Sequence, residues 1–251
     1  MEVSKIGLQL YSIKEFAQED FLGTIEKVGK IGYDGVEFAG FFDTPASDLK
    51  KALDDSGLVP CGSHTDIALL TDKLDEVIEY NLAIGNSYII CPFLPEHMRN
   101  SAGAYKKVAQ LFNEIGQKCK DSGIQFGYHN HDFEFEKFDN QYGLDILLSN
   151  TDPDLVQMEL DTFWVEYTGL KAVDFMKKYP KHFKSLIHIK DMKSLDDKTN
   201  TEVGKGIIDF EEIIKMAKDL GIKWYIVEQE SFDMLQLESI KESLEYLRTI
   251  L

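Results

Sequence analysis

The feature that most constrains the fold is a glycine that recurs just before a short apolar run. It occurs in the segments IGYDGVEF, SGLVPCGSH, IGNSYIICP, SGIQFGYH and LGIKWYIVE. Glycine readily adopts the left-handed conformation that ends many helices, so each segment predicts a helix end that leads into a strand. The predicted helix-ending glycines are Gly32, Gly57, Gly85, Gly123 and Gly221.

Three further apolar segments, KIGLQLY, LVQMELD and KSLIHIKD, bring the number of predicted strands to eight. These runs are apolar on both faces, which is typical of buried parallel strands. Residues between them repeat at helical spacing, as in the stripe Leu74, Val77, Ile78 and Leu82 and in the stripe Phe210, Ile213, Ile214 and Ala217, which follows Asp209 and Glu212 in capping-box spacing.

Eight strands alternating with helices predict a (β/α)₈ TIM barrel, which typically needs about 250 residues. The chain has 251 residues and no linker-like change in composition, so we expect one barrel domain over residues 1–251. The nearest rival is an open doubly wound sheet. It is disfavoured because no GxGxxG motif follows the first strand.

Composition narrows the possible partners. A net charge of −17 disfavours nucleic acid and anionic membranes as partners, because both attract basic surfaces. No apolar run reaches the roughly 18 residues of a membrane span. Three widely spaced cysteines, Cys61, Cys91 and Cys119, form no metal or disulfide motif, so a reducing cytoplasm is expected. A small molecule is the expected partner, and a homo-oligomer stays open.

Side chains that are capable of chemistry stand at the ends of six predicted strands. A TIM barrel brings these ends together at the mouth of its active site. The residues are Glu37, His64, His129 with His131, Asp161, His188 with Lys190, and Glu228. Two carboxylates and two imidazoles from strands five to eight would suit Mn²⁺, Co²⁺, Zn²⁺ or Fe²⁺ better than Ca²⁺ or Mg²⁺.

Three other polar residues are expected to lie on the surface. His97 and His182 lie in helix or loop patterns, and Glu134 follows a predicted strand end. We expect all three to be solvated, because polar residues in helix or loop patterns are usually on the surface. The alternative for Glu134 is that it reaches the pocket.

Seven segments together resemble one known family. They are GLQLYS, GYDGVEF, YHNHDFEF, ELDTFWV, HIKDM, VGKGIIDF and YIVEQE. In this order they resemble the sugar phosphate isomerase/epimerase family of xylose isomerase-like TIM barrels. The YHNHD segment is similar to the branch that includes inosose dehydratases and keto-glycoside enzymes.

The resemblance implies one divalent metal, with Mn²⁺ first and Co²⁺, Zn²⁺ or Fe²⁺ as alternatives. Its implied ligands are His129, Asp161, His188 and Glu228. His129 stands where the ketose epimerases of the family have a glutamate, so simple epimerisation does not follow from the resemblance. Whether His129 binds the metal and His131 acts as the base, or the reverse, stays open.

The expected function is a metal-dependent sugar isomerase or epimerase that abstracts a proton beside a carbonyl through an enediolate. Glu228, His131 and Lys190 are the candidate catalytic residues, and a structural salt bridge is the alternative role for Lys190. Glu37, His64 and Trp164 are the candidate contacts to a sugar or keto-sugar, although Trp164 also suits the core. The alternatives are a lyase or dehydratase acting through the same intermediate, an endonuclease IV-like nuclease, and a non-catalytic sugar-binding barrel.

Overall fold

The protein, described over residues 4–251 in a computed structural model, is built around a closed barrel of parallel strands. Each strand pairs with its neighbours in chain order, and the eighth strand closes on the first. The barrel strands are β1 Lys5–Gln9, β2 Gly35–Phe38, β3 Val59–His64, β4 Tyr88–Cys91, β5 Gln125–His129, β6 Val156–Asp161, β7 Leu186–Ile189 and β8 Trp224–Val227. The predicted TIM barrel is confirmed.

Helices follow the strands and cover the outside of the barrel. They are α1 Lys14–Glu19, α2 Phe21–Ile31, α3 Ala46–Ser56, α4 Ile67–Asp72, α5 Leu74–Ile84, α6 Glu96–Arg99, α7 Ala102–Asp121, α8 Gly143–Ser149, α9 Thr162–Tyr167, α10 Ala172–Lys178, α11 Phe210–Leu220 and α12 Gln236–Ile250. Short 3₁₀ turns occupy Leu10–Ile13, Phe133–Phe135 and Pro180–His182. Two small hairpins pair Lys137–Phe138 with Gln141–Tyr142 and Asp191–Met192 with Asn200–Thr201.

The predicted helix ends are confirmed. The five glycines named above all have positive φ angles, between 68° and 105°. Asp209 accepts the backbone N–H of Glu212 and so caps α11 at its N-terminus. One predicted helix face is wrong in part, because Leu82 of α5 is 48% exposed.

The apolar interior falls into two separate clusters. The larger one lies between the strands and the helices. The smaller one consists of Cys61, Ile90, Leu186, Trp224 and Ile226. These residues lie on inward-facing strand positions, so this cluster packs inside the barrel. We call it the floor.

A glycine makes room for the largest side chain of the floor. A Cβ at Gly35 would lie 2.8 Å from the ring of Trp224, which is too close for any real side chain. Gly35 therefore leaves room for the indole at the N-terminal end of the barrel interior. Trp224 is 6% exposed.

The expectation that His182 is solvated is wrong. Its side chain is buried just before β7, and its Nε2 lies 3.3 Å from the hydroxyl of Thr151. His97, in contrast, is exposed as expected. Of the helices in residues 4–251, none combines the length and the apolar character that a membrane span requires. The three cysteines are buried and unpaired.

Candidate active site

The four residues expected to bind metal are brought together at the C-terminal ends of successive strands. His129 ends β5, Asp161 ends β6, His188 lies in β7 and Glu228 follows β8. One ligand atom from each residue lies within 4.8 Å of one from every other, and all four residues are buried. Mixed imidazole and carboxylate donors at this spacing form a group that could hold a divalent metal ion. We call this set the upper cluster.

A second group lies directly below and shares two of the same residues. His64, His129, Glu159 and His188 also place one ligand atom each within 4.8 Å of one another. Glu159 was missed from the sequence, although it stands two residues before Asp161 in β6 and so points to the same side of the strand. We call this set, together with Glu37, the lower cluster.

The two shared histidines face both clusters, each with a different ring nitrogen. His129 directs Nδ1 at Glu159 Oε2, 3.1 Å away, and Nε2 at Asp161 Oδ2, 3.7 Å away. His188 directs Nε2 at Glu37 Oε2, 2.7 Å away, and Nδ1 at Glu228 Oε2, 3.2 Å away. When the lower carboxylates accept imidazole protons, His129 Nε2 and His188 Nδ1 keep lone pairs for the upper cluster.

Asp161 fits a cation because one of its oxygens is fixed and the other is left over. Its Oδ1 accepts the backbone N–H groups of Phe163 at 2.8 Å and Trp164 at 3.2 Å, and so caps α9. Its Oδ2 is buried without a hydrogen-bond partner among residues 4–251. Burial raises the pKa of this carboxyl to about 7. A bound divalent cation would supply the missing partner.

Lys190 is the fixed positive charge of the site. It is 1% exposed, and its Nζ lies 3.5 Å from Glu228 Oε2 and 3.8 Å from Asp161 Oδ2, and it also pairs with Glu230. Burial alone would raise the pKa of Glu228, but the ammonium of Lys190 beside it holds that pKa below its usual value. These ion pairs lie inside the candidate site, beside the upper cluster.

A cavity of 270 Å³ opens above the upper cluster, and we call it the mouth cavity. Its lining contains Tyr11, Ala39, His64, Pro92, Phe93, His129, His131, Glu228 and Glu230. His64 is therefore placed where a substrate contact was expected, whereas Glu37 and Trp164 lie outside the lining. Glu37 is fully buried below, where a Cβ at Gly62 would lie 2.2 Å from its Oε1. Trp164 packs beside the cavity, with its ring 5.5 Å from that of His131.

His131 lines the cavity next to the clusters but belongs to neither. Its ring centroid is 5.3 Å from that of His129, and its buried Nδ1 has no hydrogen-bond partner in the described part of the chain. Burial lowers the pKa of His131 to about 4. The ring is therefore neutral near pH 7 and has a nitrogen free to accept a proton.

The expectation that Glu134 is solvated is wrong. Its side chain is fully buried, where it bonds the hydroxyl of Tyr128 and accepts the backbone N–H of His131 at 2.8 Å. Burial raises its pKa to about 7. Glu134 thus holds the turn that presents His131 to the cavity.

The glycine loop at Gly204–Gly206 is organised around a carboxylate. Asp191 accepts the backbone N–H groups of Met192, Gly204, Gly206 and Ile208 at 2.8 to 3.2 Å. Asp191 already occupies these donors, so they are not free to bind a phosphate group.

The fold and these side chains define a class of protein, namely a (β/α)₈ barrel with a mixed carboxylate and imidazole cluster at the C-terminal ends of its strands. The chain belongs to the xylose isomerase-like TIM barrel family, whose model matches residues 25–250. The resemblance seen in the sequence is thereby confirmed.

Similar proteins carry names of sugar-modifying enzymes. An inosose dehydratase from Clostridium botulinum is 26% identical over 91% of this chain and 87% of its own length. A sugar phosphate isomerase/epimerase from Parabacteroides distasonis has a structure that matches with a TM-score of 0.84 at 30% identity, over 98% of this chain and 94% of its own. A D-tagatose 3-epimerase-like protein shares the fold at a TM-score of 0.74 and 17% identity, over 98% of each chain.

Proposed function

We propose that the protein is a divalent-metal-dependent sugar isomerase or epimerase that removes a proton beside the carbonyl of a keto-sugar or a related cyclic polyol. The observation that carries this proposal is that Glu228 and His131 line one cavity beside the upper cluster. The two residues follow strands β8 and β5, so a substrate in the cavity has a proton acceptor from each of two separate strands.

The metal would be held by the upper cluster of His129, Asp161, His188 and Glu228. Mn²⁺ is the proposed ion, with Co²⁺, Zn²⁺ and Fe²⁺ as alternatives for the same donors. When bound, such an ion supplies a Lewis acid for the carbonyl oxygen. His129 in place of a third carboxylate leaves the donor set one negative charge poorer than a glutamate would, which strengthens that effect.

The protein's own groups would move the proton. Glu228 or His131 takes it from the carbon next to the carbonyl, and the electron pair left behind moves into the carbonyl to give an enediolate. The Lys190 ammonium, already buried beside Glu228, would stabilise the negative charge on oxygen. Return of the proton to the other carbon gives an isomer, and its return to the other face gives an epimer.

Dehydration is the second candidate, and the inosose dehydratases favour it, because the Clostridium botulinum protein aligns over 91% of this chain. The first step is the same proton transfer. The enediolate then expels a hydroxyl group from the next carbon, and the protonated His131 or Glu228 supplies the proton that makes it water.

Deuterium exchange tests the shared first step. Keto-sugars and keto-inositols are incubated with the Mn²⁺-loaded protein in heavy water, and the products are analysed by mass spectrometry and proton NMR. We expect deuterium at the carbon next to the carbonyl, and its loss on chelation. A product lighter by one water identifies dehydration, whereas an unchanged formula identifies isomerisation or epimerisation.

His97→Ala is the matched control, because His97 is exposed and lies outside the mouth cavity. Exchange should persist in this variant and fall in His131→Ala. Turnover without exchange in product or recovered substrate would contradict proton abstraction and would favour direct hydrogen transfer between carbons.

A further inference from the structure

A second depression adjoins the mouth cavity, and we call it the side groove. It has a volume of 530 Å³ and lies between the loop that follows β2 and helices α4 and α5. Its lining shares Ala39 and His64 with the mouth cavity. The two spaces therefore meet at these two residues, and a ligand that extends past His64 enters the groove.

The side groove differs from the mouth cavity in chemistry. Its lining includes the apolar or aromatic side chains of Phe41, Leu69, Val77 and Tyr80. The rings of Phe41 and Tyr80 pack 4.3 Å apart, and the Tyr80 hydroxyl donates to the carbonyl of Thr44 at 2.7 Å, which fixes the ring. Such an aromatic wall favours contact with another flat, apolar group.

The charged side chains at the rim of the groove already have hydrogen-bond or ion-pair partners. Lys73 Nζ lies 3.4 Å from Glu76 Oε2, and Asp66 caps α4 by accepting the N–H of Ala68 at 2.7 Å. Lys73 is therefore not free to pair with an anionic group, and the carboxylate of Asp66, which keeps its negative charge, is engaged at the start of α4. The groove therefore suits a neutral ligand group.

The loop that carries Phe41 has an unusual backbone. Gly40 has a φ of 104°. Phe42 and Asp43, two and three residues later, have φ angles of 50° and 53°. Two consecutive non-glycine residues in the left-handed region are uncommon and persist only where the surroundings hold them. Such strain concentrates at ligand sites, and here it positions one wall of the side groove.

The volumes indicate a ligand in two parts. The mouth cavity, at 270 Å³, is slightly smaller than the roughly 300–1,000 Å³ of typical small-molecule sites, and it suits a single sugar ring. We propose that the side groove binds a neutral aromatic group attached to that sugar, so that the substrate class is an aromatic glycoside. This inference rests on the proposed function in placing a sugar ring in the mouth cavity.

The test compares two simple glycosides by isothermal titration calorimetry on the Mn²⁺-loaded protein. The probes are 4-nitrophenyl β-D-glucopyranoside and methyl β-D-glucopyranoside, which differ only in the group that would enter the groove. We expect the aromatic glycoside to bind about tenfold more tightly, the scale of one well-packed aromatic contact.

Two exposed leucines provide a matched pair of variants. Leu69 lines the groove and is 45% exposed, whereas Leu82 is 48% exposed on α5 and lies outside the lining. Leu69→Asp places a carboxylate that the aromatic group would desolvate, so the tenfold preference should disappear. Leu82→Asp should retain it.

Equal affinity of the wild-type protein for both glycosides overturns the proposal. So does a preference that survives Leu69→Asp, or free 4-nitrophenol that binds as tightly as its glycoside. Neither glycoside carries a ketone, so neither can undergo the proposed proton transfer. A failed deuterium exchange therefore contradicts the proposed function, whereas a failed binding comparison contradicts the side groove.

Discussion

The two ends of the barrel interior are built from the same strands but from opposite kinds of residue. In β8, Trp224 and Ile226 belong to the floor, and Glu228 comes two residues later at the mouth. In β7, Leu186 belongs to the floor, and His188 follows two residues later in both clusters. A period of two keeps all these side chains on the inner face of the barrel.

The apolar floor therefore contributes mainly to stability, whereas the polar mouth at the other end of the barrel holds the candidate active site. The floor buries apolar surface and an indole, which stabilises the fold. The mouth buries carboxylates, and oxygens of Glu37, Glu159 and Asp161 have no hydrogen-bond partner among the residues that the structure describes. Such groups cost stability unless a cation or substrate satisfies them. Substitutions at the mouth should therefore mainly affect metal content and turnover, whereas substitutions at the floor should mainly lower the free energy of unfolding.

The largest expected effect is on metal content. The double variant Asp161→Ala/Glu228→Ala removes two of the four upper donors and should lose the bound metal, from about one ion per chain in the wild type. Elemental analysis after stripping and reloading with Mn²⁺ measures this. The floor variant Trp224→Phe should keep its metal. Unchanged metal in the double variant would refute the upper cluster as the binding site.

The next effect separates the two neighbouring histidines of the mouth. His129→Ala should lose metal, because its Nε2 faces Asp161. His131→Ala should keep metal and lose turnover by roughly 10²–10⁴-fold, the usual scale for removal of a general base. Metal analysis and steady-state kinetics on both variants test this. Equal metal loss in both would mean that both side chains bind, and Glu228 would become the sole candidate base.

The floor should dominate stability. Trp224→Ala leaves a cavity in the barrel interior and should lower the free energy of unfolding by about 3–5 kcal/mol. Trp164→Ala, at the half-buried edge of the mouth, should cost less because solvent can fill part of the space. Urea denaturation of the two variants gives the comparison. A greater loss in the Trp164 variant would contradict the assignment of stability to the floor.

The smallest expected effect concerns the histidine before β7, which lies at the floor end of the barrel. Burial lowers the pKa of His182 to about 4, and Lys184 lowers it further while Thr151 and Asp152 oppose the shift. The unfolded chain binds this proton more readily, so stability is fully present above about pH 6.5 and falls as pH drops towards 4.

We expect a loss of about 1–2 kcal/mol from this residue over that range, after allowance for solvent. The variant His182→Gln should lack this contribution, so its free energy of unfolding, measured by urea denaturation between pH 7 and pH 5, should fall less steeply than that of the wild type. Identical slopes would show that His182 does not titrate as expected.

The sequence predicted those features that depend on local pattern and on barrel topology. Glycine at a helix end is a local signal. Parallel strand ends converge in any closed barrel, which is why the sequence could predict that Asp161 and His188 lie close together. Glu159 had a usable signal, since it lies two residues before Asp161, but it was hidden within an apolar strand.

Other residues lacked such a signal because contacts outside the strand and helix periodicity decide their burial. Glu134 is buried through Tyr128 and the turn at His131, and His182 is buried against Thr151. Leu82 fits an apolar helical stripe, yet it lies at the edge of the surface that α5 buries. The lower cluster is formed by residues from five different strands, so no single stretch of sequence predicts it.

The position of Trp224 in the chain has a consequence for how the protein folds. The indole of the floor comes from β8, which pairs with β1 through the register Lys5 to Trp224. Seven strands can be synthesised before this ring exists, and until then Gly35 faces an unfilled interior. Contacts of such long sequence separation form late and slowly. A nascent chain that stalls before β8 therefore exposes an open sheet, which is the state in which chaperones would be needed most.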